Sequence, residues 1–239
     1  MMKKRYIILS IIVILLLIVL AFGIYYINDY YHADDNVNKY LKGTKDVKVI
    51  NTTNGLLLDG YGNDTALIFY PGAKVEYTSY IPMLMELSES GIDCYLVEMP
   101  FNLAFFGQDS ADEIIDSGNY SHYFIAGHSL GGVVASSYVN QSNKSDGLIL
   151  FASYPTEKIE KPVLSIYGSE DKVFNIDSYN EAKPLMSNLT EIVIKGGNHG
   201  QIGNYGNQSG DGQATISWQK QQDRCVNEII DFINKISFT

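Results

Sequence analysis

The stretch Phe124-Ile-Ala-Gly-His-Ser-Leu-Gly-Gly132 constrains the fold of this 239-residue chain more than any other. A short apolar run enters a Gly-x-Ser-x-Gly turn, and "LGGVVASSYV" follows with the character of a helix. Glycines at 127 and 131 leave room for a sharp, strained turn, and Gly132 lets the helix pack close to the sheet. Strand, tight turn and helix together open a unit whose chain returns across a parallel sheet. The turn lifts Ser129 above the strand end, where a hydroxyl can be reached and activated.

The flanking segments agree with that architecture. "ALIFY" (66–70), "DCYLVEM" (93–99), "HYFIA" (122–126), "DGLILF" (146–151), "PVLSIYG" (162–168) and "EIVIKG" (191–196) read as strands. Several are uninterrupted apolar runs, as strands covered on both faces require. Helix-like segments alternate with them: "YTSYIPMLMELSES" (77–90), which closes at Gly91, and "ISWQKQQDRCVNEIIDFINKI" (216–236). "VKVI" (47–50) and "GLLLDG" (55–60) form an opening pair of strands around an Asn-Thr-Thr-Asn turn. The expected fold is therefore α/β, a mainly parallel sheet with helices on both faces. The connection Ala152–Lys161 is too short for a cap domain, so a site on that edge should be open.

The N-terminus is of another kind. Tyr6–Ile27 holds 22 residues without a charge, directly after Lys3, Lys4 and Arg5. As a helix it would extend roughly 33 Å, enough to cross a bilayer core. A cleaved signal peptide would have an apolar core of only about 7–15 residues and a small-x-small cleavage site. Here the run is longer and ends in the tyrosines of "GIYYINDYY", residues suited to the membrane–water boundary. The reading is an uncleaved single-pass anchor in the cell membrane. Residues 1–5 form a cytoplasmic basic flank, 6–27 the anchor, 28–45 a polar connector and 46–239 an extracytoplasmic globular domain. No cysteine near the apolar run suggests lipid attachment.

Charge and cysteines exclude other classes. The whole chain carries −10, and its first 27 residues hold three basic and no acidic side chains, so the remainder carries −13. That balance argues against nucleic acid and against docking on an anionic membrane face. Cys94 and Cys225 have no metal-ligand spacing and read as buried free thiols. No Cys/His cluster, phosphate loop or dinucleotide fingerprint is present, so neither a metal nor an organic cofactor is expected.

The turn at Ser129 resembles the nucleophile elbow of the α/β-hydrolase superfamily, and the similarity runs from about Val47 to the C-terminus. That resemblance implies a Ser, then Asp or Glu, then His order. Of His32, His122, His128 and His199, only His199 follows Ser129, and it sits in "KGGNHGQIGNYG" after the last expected strand. His128 adjoins Ser129, but neighbouring side chains on the turn point apart, so its reading is packing or orienting. The superfamily's Gly-x-x-Asp pattern points through "GSED" to Asp171, with Glu170 as the alternative acid. The implied oxyanion hole pairs the Leu130 N–H with the Ala73 N–H of Tyr70-Pro-Gly-Ala-Lys74. Pro71 stands where many relatives have histidine, which leaves that donor available. "PGAKVEYTSYIPML", "VEMPFNLAFFG" and "GGNHGQIGNYGNQSGDGQATIS" are similar to a membrane-anchored bacterial subgroup of dienelactone-hydrolase-like sequences. Dienelactone hydrolases themselves use cysteine as nucleophile; serine stands here.

The expected activity is hydrolysis of carboxylic esters of a small acyl substrate through an acyl-enzyme, and thioesters or activated amides would use the same machinery. Two alternatives stand beside it. A non-catalytic binding protein with this fold would usually lack a triad member, and none is missing. An acyltransferase would need to keep water from the acyl-enzyme, which an open site does poorly. Finally, Gly200–Gln213 is expected to fold back as a rim, with Ile202, Tyr205 and Gln208 beside the leaving-group side. A plain surface loop is the alternative.

Overall fold

The computed structural model of the chain describes residues 2–62 and 64–237. The first residue of the basic flank, and residues 63, 238 and 239 of the expected globular domain, thus lie outside the described residues. The chain divides into two compact units, Met1–Tyr30 and Tyr31–Thr239. The first is a single helix, α1 (Met2–Asn28). It is apolar all round, with Leu9, Leu16 and Phe22 alike exposed, and long and apolar enough to cross a membrane.

The second unit opens with a 3₁₀ helix at Asp35–Lys42. In chain order there follow β1 (Lys48–Thr52), β2 (Gly55–Asp59), β3 (Thr65–Tyr70), α2 (Ile81–Glu89), β4 (Asp93–Val97), α3 (Ser110–Ser117) and β5 (His122–His128). The second half comprises α4 (Leu130–Gln141), β6 (Gly147–Phe151), β7 (Ile159–Gly168), α5 (Ile176–Ala182), β8 (Met186–Ile194) and α6 (Trp218–Ser237). The strands form one sheet in the order β1-β2-β4-β3-β5-β6-β7-β8. The β1–β2 and β2–β4 pairs are antiparallel, and every pair from β4 to β8 is parallel.

Alternation along the strands sorts the core into two halves. On β3, Leu67 and Phe69 face one side, where α2 and α6 cover them with Leu84, Leu87, Val226 and Ile229. Ala66, Ile68 and Tyr70 face the other side, under α3, α4 and α5 with Ile114, Val134 and Tyr179. Because both faces are covered, all six residues of β3 are buried. β5 lies between β3 and β6, with Phe69 opposite Ala126 and Gly127 opposite Leu150. The turn after it therefore emerges in mid-sheet at the carboxyl edge, flanked by the ends of β3 and β6.

The structure departs from the sequence reading in several places. The compact unit starts at Tyr31 rather than 46, because part of the expected connector is bound to it. Tyr31 N donates to Lys74 O at 2.8 Å, Glu76 N donates to Tyr31 O at 2.9 Å, and Val37 is buried. β7 begins at Ile159, paired with Met186 ahead of a bulge before Pro162, so the link from β6 is even shorter and no cap is inserted. β8 starts at Met186, ahead of Glu191. α3 and α5 were not expected: one buries only Ala111 and Ile114, and the other has seven residues. Cys94 and Cys225 are free and buried, and burial pushes the Cys94 thiol up to about 12. Phe124 is fully buried on β5, its ring 6.1 Å from that of Phe232 on α6. Phe124→Ala is expected to cost about 3–5 kcal/mol of stability, read from the urea unfolding midpoint; an unshifted midpoint would contradict this packing.

Candidate active site

The elbow is built by close backbone contact. Ser129 sits at φ 52°, ψ −123°, a conformation that costs a non-glycine residue about 1–3 kcal/mol. It persists because its neighbours hold it: Ser129 N donates to Phe151 O at 2.9 Å, and Ser153 Oγ donates to Ser129 O at 2.7 Å. A Cβ on Gly131 would lie 2.2 Å from Pro71 O and 2.3 Å from Tyr70 O. One on Gly127 would lie 2.5 Å from the Gly131 carbonyl. Only glycine at both positions lets α4 start this near the end of β3.

That contact sets the β3 loop beside the serine. Leu130 is the first residue of α4, so its N–H has no acceptor within the helix. Among the described residues, neither Leu130 N–H nor Ala73 N–H donates to a protein acceptor, and both residues are partly exposed. The loop around Ala73 is held from three directions. Gly72 N donates to Tyr80 Oη at 3.1 Å, and Lys74, at φ 57°, donates through its N–H to Asn102 O at 2.8 Å. Lys74 O takes the Tyr31 N–H described above.

His199 and Asp171 meet directly. His199 follows β8 and is 1% exposed, and its Nδ1 is 2.8 Å from Asp171 Oδ2. The other carboxylate oxygen, Oδ1, accepts from Val173 N at 2.9 Å and Phe174 N at 2.7 Å, which fixes the carboxylate plane. Glu170 turns elsewhere, accepting from Ser169 Oγ at 2.9 Å. Among the described residues Ser129 Oγ makes no hydrogen bond to His199. The His128 ring centroid lies 4.4 Å from that of His199.

Asp211, Gln221 and Tyr80, which the sequence did not single out, hold this geometry together with His128. Asp211 ties the two loops together, with Oδ2 accepting from Gly200 N at 2.9 Å and Oδ1 from Lys172 N at 3.3 Å. Gln221 of α6 brackets Asn198, accepting from its N–H at 3.0 Å and donating to its carbonyl at 2.7 Å. His128 is buried with Nδ1 2.8 Å from Tyr80 Oη, which joins the nucleophile turn to the Gly72 loop. No local pattern marks these partners, because each contact spans from 11 to 48 positions. His128, read from the sequence as packing or orienting, packs here against Tyr80 and His199.

The residues expected to form the rim are placed as follows. Gly200–Gln213 is pinned rather than loose: Asn204 N donates to Ser79 O, Asp34 N donates to Asn204 O, and Ser209 N donates to Tyr31 Oη. Its apolar side chains turn inward. Ile202 is 1% and Tyr205 5% exposed, both packed in the core half under α2 and α6. Gln208 accepts from Tyr205 Oη at 3.0 Å and borders a polar cavity of about 590 Å³ that neither Ser129 nor His199 lines.

Comparison with known proteins agrees with this fold. Residues 66–223 match the family model described as alpha/beta hydrolase family, and the chain belongs to that family. No curated protein matches the sequence. Among solved structures, a membrane phospholipase A described as a bacterial virulence factor is similar with a TM-score of 0.62 at 12% identity, covering 99% of this chain and 100% of that one. Est1E from Butyrivibrio proteoclasticus gives 0.54 at 13%, covering 79% and 99%. Alpha/beta hydrolase domain-containing protein 10 from mouse gives 0.57 at 14%, covering 79% and 98%. At these identities the likeness is one of fold.

Burial, and secondarily the neighbouring His199, holds the His128 imidazole well below its usual range. Its folded pKa is depressed, so the contribution to stability is complete above about pH 6.5, the unfolded value, and declines as pH falls below it. Unfolding should then take up one extra proton, a slope of about 1.4 kcal/mol per pH unit in that acid window. His128→Gln is expected to remove that slope in denaturant titrations from pH 7 to about pH 5. Equal slopes in both proteins would contradict the assignment.

Proposed function

We propose that the protein is a serine hydrolase acting on carboxylic esters, with Ser129 as nucleophile, His199 as base and Asp171 as the acid that orients it. The observations that carry the reading are the buried 2.8 Å contact of His199 Nδ1 with Asp171 Oδ2 and the strained turn that holds Ser129. Ser129 Oγ attacks the acyl carbon while His199 Nε2 takes its proton. The carbonyl oxygen, now an alkoxide, is met by the N–H groups of Ala73 and Leu130, each contributing typically ~3–4 kcal/mol. Collapse breaks the bond to the alkoxy group, and His199 hands it the proton. Water, deprotonated by His199, then attacks the acyl-enzyme and releases the acid and Ser129. Asp171 keeps the imidazole tautomer and stabilises the imidazolium.

The second part of the proposal is location. α1 is read as an uncleaved anchor with Lys3, Lys4 and Arg5 in the cytoplasm, so the domain after Asn28 lies outside. The acyl substrate meets it there.

Ser129→Ala is expected to abolish ester hydrolysis while leaving thermal unfolding nearly unchanged; His199→Ala is expected to abolish it as well and to lower stability, because Asp171 Oδ2 loses its buried partner. Asp171→Asn should lower kcat by about 10⁴, as in a serine-protease triad, whereas Glu170→Gln should be mild. Steady-state kinetics on a soluble ester decide this. A reversed result for Glu170 and Asp171 would overturn the choice of acid.

A further inference from the structure

The loop after β4 presents an unusual surface. Phe101, Phe105 and Phe106 are 54%, 61% and 62% exposed, whereas the other exposed large apolar residues outside α1 stand singly in the sequence. Scattered apolar side chains are ordinary on a protein surface, but a grouped aromatic patch marks a contact. These rings are held out by ordered backbone. Residues 100–102 and 104–106 form 3₁₀ turns, Asn102 N donates to Met99 O, Gly107 N donates to Ala104 O, and Ala104 is buried beneath. Phe101 and Asn102 adopt φ of 59° and 55°, which side chains rarely do, so the outward display is maintained against local strain.

The position of this loop names its partner. Asn102 O takes the Lys74 N–H, next to Ala73, and Lys74 O takes the Tyr31 N–H. Only Asp29 and Tyr30 separate Tyr31 from the end of α1. Three residue steps reach at most about 11 Å. The chain that leaves the apolar helix is thus bonded to the residue that also carries the aromatic loop. Of the loop's charged neighbours, Glu98, Asp109 and Glu113 are acidic and Lys74, bonded through its main chain to Asn102, is basic, a net negative balance that suits a zwitterionic surface entered by apolar groups better than an anionic one.

We propose that Phe101, Phe105 and Phe106 form a wedge that enters the outer leaflet, from which the chain emerges after α1, and presents Ser129 to acyl esters carried in that leaflet. The inference rests on the reading of α1 as an anchor and of Ser129 as nucleophile. Aromatic rings suit the depth of the headgroups, where an apolar body and nearby polar backbone are both accommodated.

The test uses the full chain in phosphatidylcholine vesicles, with a nitroxide placed by Phe105→Cys, Tyr61→Cys or Ile14→Cys. Cys94 and Cys225 are fully buried and stay unlabelled. Tyr61 is 74% exposed and precedes β3, at the opposite edge of the sheet. The expected result is that positions 105 and 14 collide with oxygen and are shielded from a water-soluble nickel chelate, while position 61 is open to the chelate. Chelate access at 105 equal to that at 61 would overturn the wedge and leave the aromatic patch to a protein partner. Access at position 14 would overturn the anchor reading and the wedge with it. In a second arm, Phe101→Ser/Phe105→Ser/Phe106→Ser should lower the ratio of rates on 4-nitrophenyl palmitate in the vesicles to 4-nitrophenyl acetate in water by about tenfold. An unchanged ratio would overturn delivery from the leaflet. If Ser129→Ala left both rates intact, the catalytic reading would fail while a shielded position 105 still upheld the wedge.

Discussion

The site depends on one close approach. α4 begins so near the end of β3 that a Cβ on Gly131 would lie 2.2 Å from Pro71 O. That approach forces Ser129 into a positive φ and brings the N-terminus of α4 beside the Gly72–Lys74 loop. The placement of the proposed nucleophile and of the two candidate donors follows from it. The hydroxyl stands above the sheet edge, one candidate donor comes from a helix end that has no internal acceptor, and the other comes from the loop it touches.

The strain is not confined to the serine. Lys74, Phe101, Asn102, Ser129 and Ala152 have φ between 45° and 59°, and they fall in the loops after β3, β4, β5 and β6. Strained backbone on four adjacent strand ends is stored where function is sought and stabilised by the buried sheet below. Long-range hydrogen bonds hold it: Ser129 N to Phe151 O, Ala152 N to Ile166 O, and Lys74 N to Asn102 O. The fully buried β3 and β6, packed on both faces, offset what these loops cost.

How much of this was legible in the sequence depends on the range of each interaction. The elbow is local, since three glycines and a serine within six positions specify it, and the central parallel strands announce themselves as apolar runs. Asp171 and His199 could be named through the resemblance, by the Gly-x-x-Asp pattern and by the order after Ser129, although their contact joins positions 28 apart. What holds them could not be read. Asp211 and Gln221 act through polar contacts with backbone groups that no pattern marks. Ile202 and Tyr205 show the same limit from the other side. An apolar residue in a glycine-rich loop serves a rim or a core equally well in one dimension, and here the core claims both. The strap at Tyr31 looked like a polar connector because its attachment to Lys74 and Glu76 is made by main-chain groups.

The central claim, that Ser129 is an activated nucleophile, is tested most directly by its covalent reactivity. The full chain would be treated with a fluorophosphonate and the modified peptide mapped by mass spectrometry, with His199→Ala alongside. The account predicts a single adduct on Ser129 that is lost in the variant. An unlabelled protein, or an adduct on another serine, would contradict it.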